Sequence, residues 1–218
     1  MQTLIANYRP IVEKVWTGRK DGPEDIRWHQ RVQLVDLLHW DRPAGERAFV
    51  LLGFCCDEGV RRNQGRTGAR NGPQALRKAL ASLAWHLPED AMVLDAGDIF
   101  CYDTELERAQ QSLANAVALI RQRGGFPVVL GGGHETAWGS YSGLRMGANA
   151  HESLGIINLD AHFDLRLYEK GPHSGSPFFQ MAEDCHARQL PFHYLCIGVQ
   201  PGGNTASLFA RAHELGVS

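Results

Sequence analysis

Apolar residues in this chain come in short unbroken runs that end in polar or glycine-rich turns, and these runs alternate with segments of helical period. The run at 49–54, Phe-Val-Leu-Leu-Gly-Phe, has strand length and no alternation, as expected of a parallel strand buried on both faces. Similar runs predict strands at 92–98, 127–130, 155–160 and 194–199. A helix is predicted over 74–84, behind Pro73 at a helix start. Another is predicted over 104–123, opened by Thr104 and Glu107 at capping-box spacing and closed by Gly124-Gly125. Its buried face is Leu106, Leu113, Val117 and Ile120. Further helices are predicted at 141–146, at 178–187 and from 205 onward. This alternation predicts an α/β sheet of mainly parallel strands with right-handed crossovers and a ligand site at the carboxyl ends of the strands. Residues 1–48, with Trp16, Trp28, Trp40 and scattered prolines, show no sustained period. They read as an N-terminal extension whose short helical pieces cover the sheet, leaving 49–218 as the domain proper.

The run at 155–160 leads into chemistry. Asp160, His162 and Asp164 follow at every second position, so their side chains share one side if the strand conformation persists through them. Carboxylate plus imidazole suits Mn, Fe or Zn. The alternative is that the aspartates cap a turn and His162 is an ordinary surface or core histidine. His134 follows the strand at 127–130 directly, after Gly131-Gly132-Gly133, which makes four candidate ligands at one sheet edge. Asp98, at the end of the 92–98 strand, is a weaker ligand candidate and reads as a loop residue. The three glycines do not open a dinucleotide fingerprint, because position 136 is Thr, and no Gly-Lys-Ser/Thr phosphate loop is present.

Composition narrows the setting. With 22 basic against 24 acidic residues and a net charge of −2, the chain offers no general field for nucleic acid or an anionic membrane. No apolar run approaches the roughly 20 residues needed to span a bilayer, and the N-terminus lacks a basic start followed by an apolar segment, so the chain reads as soluble and cytoplasmic. Five cysteines without a Cys-x-x-Cys fit buried reduced thiols rather than a disulfide framework.

Gly131-Gly132-Gly133-His134-Glu135 and Asp160-Ala161-His162-Phe163-Asp164 resemble the first two metal motifs of the ureohydrolases, the arginase and agmatinase superfamily. Gly68-Ala69-Arg70-Asn71-Gly72-Pro73 and Ser174-Gly175-Ser176-Pro177-Phe178 resemble that family's flanking landmarks, so the likeness extends from about Phe49 onward. The resemblance implies an arginase-like three-layer α/β/α sandwich and an active site with two Mn ions bridged by hydroxide. His134, Asp160, His162 and Asp164 match its ligand positions, and Asp164 matches the residue that carries a proton to the leaving amine. Two features depart from the pattern. The family's later Asp-x-Asp ligand motif does not occur in the 218 residues, which implies a chain incomplete at its C-terminus. The family's acid/base histidine, in a His-Gly-x-Pro pattern, falls on Ser174 with His173 one residue earlier, so His173 is the acid/base candidate and Ser174 a substrate contact.

Arg166 and Arg66 suit an anionic substrate and would repel a cationic one. Together with Asp-Ala-His-Phe-Asp-Leu-Arg and Ser-Gly-Ser-Pro-Phe-Phe-Gln, they most resemble the branch that hydrolyses N-formimidoyl-L-glutamate to L-glutamate and formamide. The expected partners are that small anion and further copies of the chain. The alternatives are hydrolysis of agmatine or a guanidino acid, or a metal-binding piece of this fold without turnover.

Overall fold

The computed structural model describes residues 5–11, 15–41, 48–149 and 152–218. The chain enters through β1 (Tyr8–Arg9), α1 (Trp28–Arg31) and β2 (Gln33–Leu34). It continues through β3 (Ala48–Cys55), α2 (Glu58–Arg62), α3 (Gly72–Ala81) and β4 (Met92–Phe100). Then come α4 (Leu106–Gln122), β5 (Phe126–Leu130), α5 (Thr136–Gly147), β6 (Gly155–Leu159), α6 (Pro177–Ala187), β7 (His193–Ile197) and α7 (Ala206–Glu214).

The run of apolar residues in β3 makes it the centre of the larger sheet, paired in parallel with β4 on one side and β5 on the other. Val50, Leu52 and Phe54 on this strand are fully buried, and Leu51 nearly so. The N-terminal extension does more than cover this sheet with helical pieces. β1 pairs antiparallel and β2 parallel with β4, because both are short extended segments that meet the free edge of that strand. Ile5, Leu37 and Trp40 from the same extension enter the main core. Residues 1–4, 12–14 and 42–47 of the extension lie outside the described residues.

α4 buries Leu106, Leu113, Val117 and Ile120, the face its periodicity predicts. The capping box at Thr104 does not form, since the helix starts one residue later with Glu105 at its N-cap. Glu107 turns instead to Arg62, which also binds the Thr104 carbonyl. α5 lies close against α4. A Cβ on Gly139 would approach Leu113 Cδ2 to 2.8 Å, and one on Gly143 would approach the Ala114 carbonyl oxygen to 2.5 Å, so glycine alone permits this spacing.

The sequence places all the long strands in one sheet, and the described residues form two. β6 and β7 pair only with each other, in parallel, and pack one face on a second core of Tyr141, Phe163, Leu165, Phe178, Met181 and Tyr194. Their other face carries Ile157 and Leu159, exposed at 69% and 78%, with Leu195 and Ile197 beside them. Apolar residues on both sides of a strand are the mark of a parallel sheet covered on both faces, and here only one face is covered. The local pattern of β6 thus encodes more burial than the described residues supply.

Arg77 of α3 ties the first sheet together. It is 1% exposed, and its Nε and Nη2 donate to the two oxygens of Asp95 at 2.8 and 2.9 Å. Nη1 donates to Asp98 at 2.6 Å, and Trp16 Nε1 donates to Asp95 at 2.7 Å. Asp98 is therefore neither a loop residue nor a metal ligand, because β4 runs on past it to Phe100 and its carboxylate is committed to Arg77. A buried pair stripped of one member leaves an uncompensated charge. Arg77→Ala is expected to destabilise the protein by about 3–5 kcal/mol in equilibrium denaturation, with Arg77→Lys recovering only part of the loss because it lacks the two-pronged geometry.

Candidate metal centre

β5 delivers His134 through a turn that only glycine can make. A Cβ on Gly132 would overlap the carbonyl oxygens of Phe54 and Cys56, and one on Gly133 would collide with the Glu135 carboxyl. β6 delivers the other candidate ligands, but not as a continued strand. The ladder ends at Leu159, and Asp164 has a left-handed backbone with φ of 47°. The period-two argument therefore fails beyond Leu159. The chain folds back instead, which brings Asp164 round to Asp160.

His134 Nδ1 lies 2.7 Å from Asp164 Oδ2 and 3.2 Å from Asp160 Oδ2. One ligand atom from each of these three residues falls within 4.8 Å of the others. The geometric trio is thus His134, Asp160 and Asp164, rather than the consecutive Asp160, His162 and Asp164 that alternation favours. His162 stands to one side, its Nδ1 3.3 Å from the other oxygen of Asp160. The Asp160 carboxylate accordingly sits between two imidazoles, one on each oxygen.

Burial pulls the pKa of His134 down, but the hydrogen bond that His134 donates to Asp164 and the charges of Asp164 and Asp160 outweigh it and leave the imidazole above its ordinary value. Two carboxylates crowded on one nitrogen form a site of net negative charge. Mixed oxygen and nitrogen donors, half-buried and mutually close, fit a divalent transition metal such as Mn.

Beside the trio is a cavity of about 130 Å³ lined by Asn63, His162, Asp164, Arg166, Gly203 and Asn204. Arg166 is thus brought to the ligands. Arg66 is exposed on its loop and does not line this cavity. Ser174 reaches the cavity wall indirectly, its Oγ accepting from Asn63 Nδ2 at 3.2 Å while its N–H donates to Gly59. His173 faces a neighbouring pocket with Arg62, Tyr168 and Lys170. Its Nδ1 accepts from the Gly175 N–H, and burial, reinforced by the charge of Arg166, holds the imidazole below its ordinary pKa.

Sequence reasoning missed Asn63, Asn204 and the supporting role of Glu135. Glu135 is buried behind His134 and accepts from the Gly59 N–H at 2.9 Å, which pins the ligand loop to the loop after β3. The only local signal was its place next to His134.

The Arginase family model matches residues 47–218, and the chain belongs to the arginase family. It is 50% identical over 212 residues to the formimidoylglutamase of Geobacillus thermodenitrificans, covering 96% of this chain and 64% of that protein. It is also 50% identical over 216 residues to the formimidoylglutamase of Aeromonas hydrophila, covering 96% and 66%. The chain thus spans about two thirds of the length of these curated relatives. Among solved structures, Trypanosoma cruzi formiminoglutamase with Mn2+ aligns at a TM-score of 0.69 and 29% identity over 83% of this chain and 63% of that one. Bacillus subtilis formimidoylglutamase aligns at 0.74 over 93% and 61%, and its 17% identity bears on the fold alone. The α/β fold with mainly parallel strands is that of the family.

If Asp164 raises the His134 pKa, Asp164→Asn removes the charge and the acceptor together. The His134 pKa of the metal-free protein, followed by NMR titration of the imidazole protons, is expected to fall in this variant.

Proposed function

We propose that this protein hydrolyses N-formimidoyl-L-glutamate to L-glutamate and formamide at a two-manganese centre. The observation that carries the reading is the convergence of His134, Asp160 and Asp164 beside a cavity that also holds Arg166. The formimidoylglutamases at 50% identity and the Mn2+-containing Trypanosoma cruzi enzyme support it.

In this reading His134, Asp160, His162 and Asp164 would hold manganese, with His134, Asp160 and Asp164 the close set. Bound there, manganese would supply Lewis acidity and lower the pKa of a water molecule toward neutrality. The protein's own groups do the rest. Arg166 receives a substrate carboxylate through paired N–H donors and so orients the formimidoyl carbon toward the ligand cluster. Asn63 and Ser174 fix the wall on which that carboxylate end rests. Asp164, at the boundary of cluster and cavity, accepts the proton of the attacking water and passes it to the glutamate nitrogen as the carbon–nitrogen bond breaks. His173 remains the second acid/base candidate. Its Nδ1 accepts from the Gly175 N–H, which places the ring proton on Nε2. Arg66 is placed as an outer charge that attracts the anion. The agmatine-hydrolysing alternative is disfavoured by Arg166, which would repel that cation from the cavity.

Formamide release from N-formimidoyl-L-glutamate tests the activity, and urea release from agmatine tests the alternative. Arg166→Ala is expected to raise KM far more than it lowers kcat, because a carboxylate anchor binds ground and transition states alike, with a loss of about 2–5 kcal/mol if the pair is desolvated. An unchanged KM would place Arg166 outside the substrate site.

The family's Asp-x-Asp ligands do not occur among the 218 residues, so the second ion lacks ligands and charge compensation here. Residues 1–218 prepared alone are expected to release no formamide and to bind at most one Mn2+ weakly by calorimetry. Binding of two ions with turnover would overturn that ligand assignment.

A further inference from the structure

The five residues that carry three of the four candidate ligands lie outside any regular element. After the last strand bond, from Asp160 N–H to the Ile197 carbonyl, the backbone of 161–163 belongs to no helix or sheet ladder. Side chains from β7 and the segment before α7 take over. Asn204 Nδ2 donates to the Ala161 carbonyl at 2.9 Å, and Asn204 Oδ1 accepts from the Phe163 N–H at 3.1 Å. The second Nδ2 hydrogen goes to the Gln200 carbonyl at 2.9 Å, and the Gln200 N–H also donates to Ala161. Tyr194 Oη donates to the Phe163 carbonyl at 3.0 Å while accepting from Asn158 Nδ2. Cys196 Sγ reaches the His162 carbonyl at 3.3 Å.

We infer that Asn204, aided by Tyr194, is a positioning residue that sets the spacing of Asp160, His162 and Asp164 and thereby the affinity of the metal centre. The inference rests on the metal reading above. Asn204 lines the cavity but is 9% exposed, and both its amide hydrogens and its carbonyl oxygen are engaged within the protein, so it has little left to offer a substrate. It spans the turn from Ala161 to Phe163, so the two peptides on either side of His162 are held by the same rigid amide, while Tyr194 holds the peptide before Asp164. Only an amide of this length can donate to one of these groups and accept from the other. Aspartate, of the same size, would aim an acceptor at the Ala161 and Gln200 carbonyls. This is the task that hydrogen bonds around metal ligands perform elsewhere, where their loss costs roughly 10–100-fold in metal affinity.

The test is Mn2+ titration of the protein as the cell makes it, read by calorimetry and by the electron paramagnetic resonance of the ion. Asn204→Asp and Tyr194→Phe are each expected to weaken Mn2+ binding by roughly 10–100-fold and to alter the resonance. Tyr194→Phe keeps the ring stacked on Phe178 and so tests the loop even if Asn204→Asp does not fold. Ala212→Gly, buried in the same core on α7, is expected to lower Tm while leaving Mn2+ affinity within about twofold of the parent, which separates positioning from general destabilisation. Affinities of Tyr194→Phe and any folded Asn204→Asp within about twofold of the parent would overturn the inference and leave the metal reading standing. A parent that binds no Mn2+ would remove both.

Discussion

Two carboxylates facing one imidazole nitrogen set the terms for everything around them. Asp164 and Asp160 approach His134 Nδ1 to 2.7 and 3.2 Å from the same side, and like charges this close raise each other's free energy unless a cation lies between them. A protonated His134 relieves part of that repulsion, and a divalent ion relieves more. The fold tolerates the arrangement because both carboxylates keep partial contact with solvent and Asp164 lines the neighbouring cavity. The contact also joins the two halves of the chain, since His134 follows a strand of the first sheet and the aspartates follow a strand of the second.

The supports on the two sides differ in kind. His134 is held by rigid backbone packing: close-fitting glycines, the buried Glu135 hydrogen-bonded to Gly59, and Gln110 donating to the Glu135 carbonyl. Asp160, His162 and Asp164 are held by side chains reaching in from later in the chain, because their backbone has left the sheet. Behind both, the Arg77–Asp95–Asp98 cluster locks α3 to β4 and keeps the first sheet in place. The same region presents one wall of the cavity, since α2 leads to Asn63, whose amide donates to Ser174 behind that wall.

The apolar face left open on β6 and β7 has a bearing on the centre. These strands carry the aspartate loop, and among the described residues only one of their faces is packed. Burial of Ile157 and Leu159 would stiffen the strand from which Asp160 emerges, and so couple packing on this face to the geometry of the candidate ligands.

The sequence by itself determined the elements whose causes are local. Unbroken apolar runs marked β3, β5 and β6, the 3.6-residue period marked the buried face of α4, and glycines before His134 marked a turn that side chains forbid. The four metal-ligand candidates were legible for the same reason, since each stands within a few residues of a strand end. What the tertiary structure decided concerns groups that meet from far along the chain. Arg77 finds Asp95 across 18 residues, and Asn204 finds Phe163 across 41. Alternation along β6 assigned Asp160, His162 and Asp164 to one side, but the strand ended and a left-handed residue at Asp164 redirected the chain, so the trio formed with His134 instead. A period of two is a property of extended backbone alone, and where the backbone bends, the partners that hold the bend choose which side chains converge.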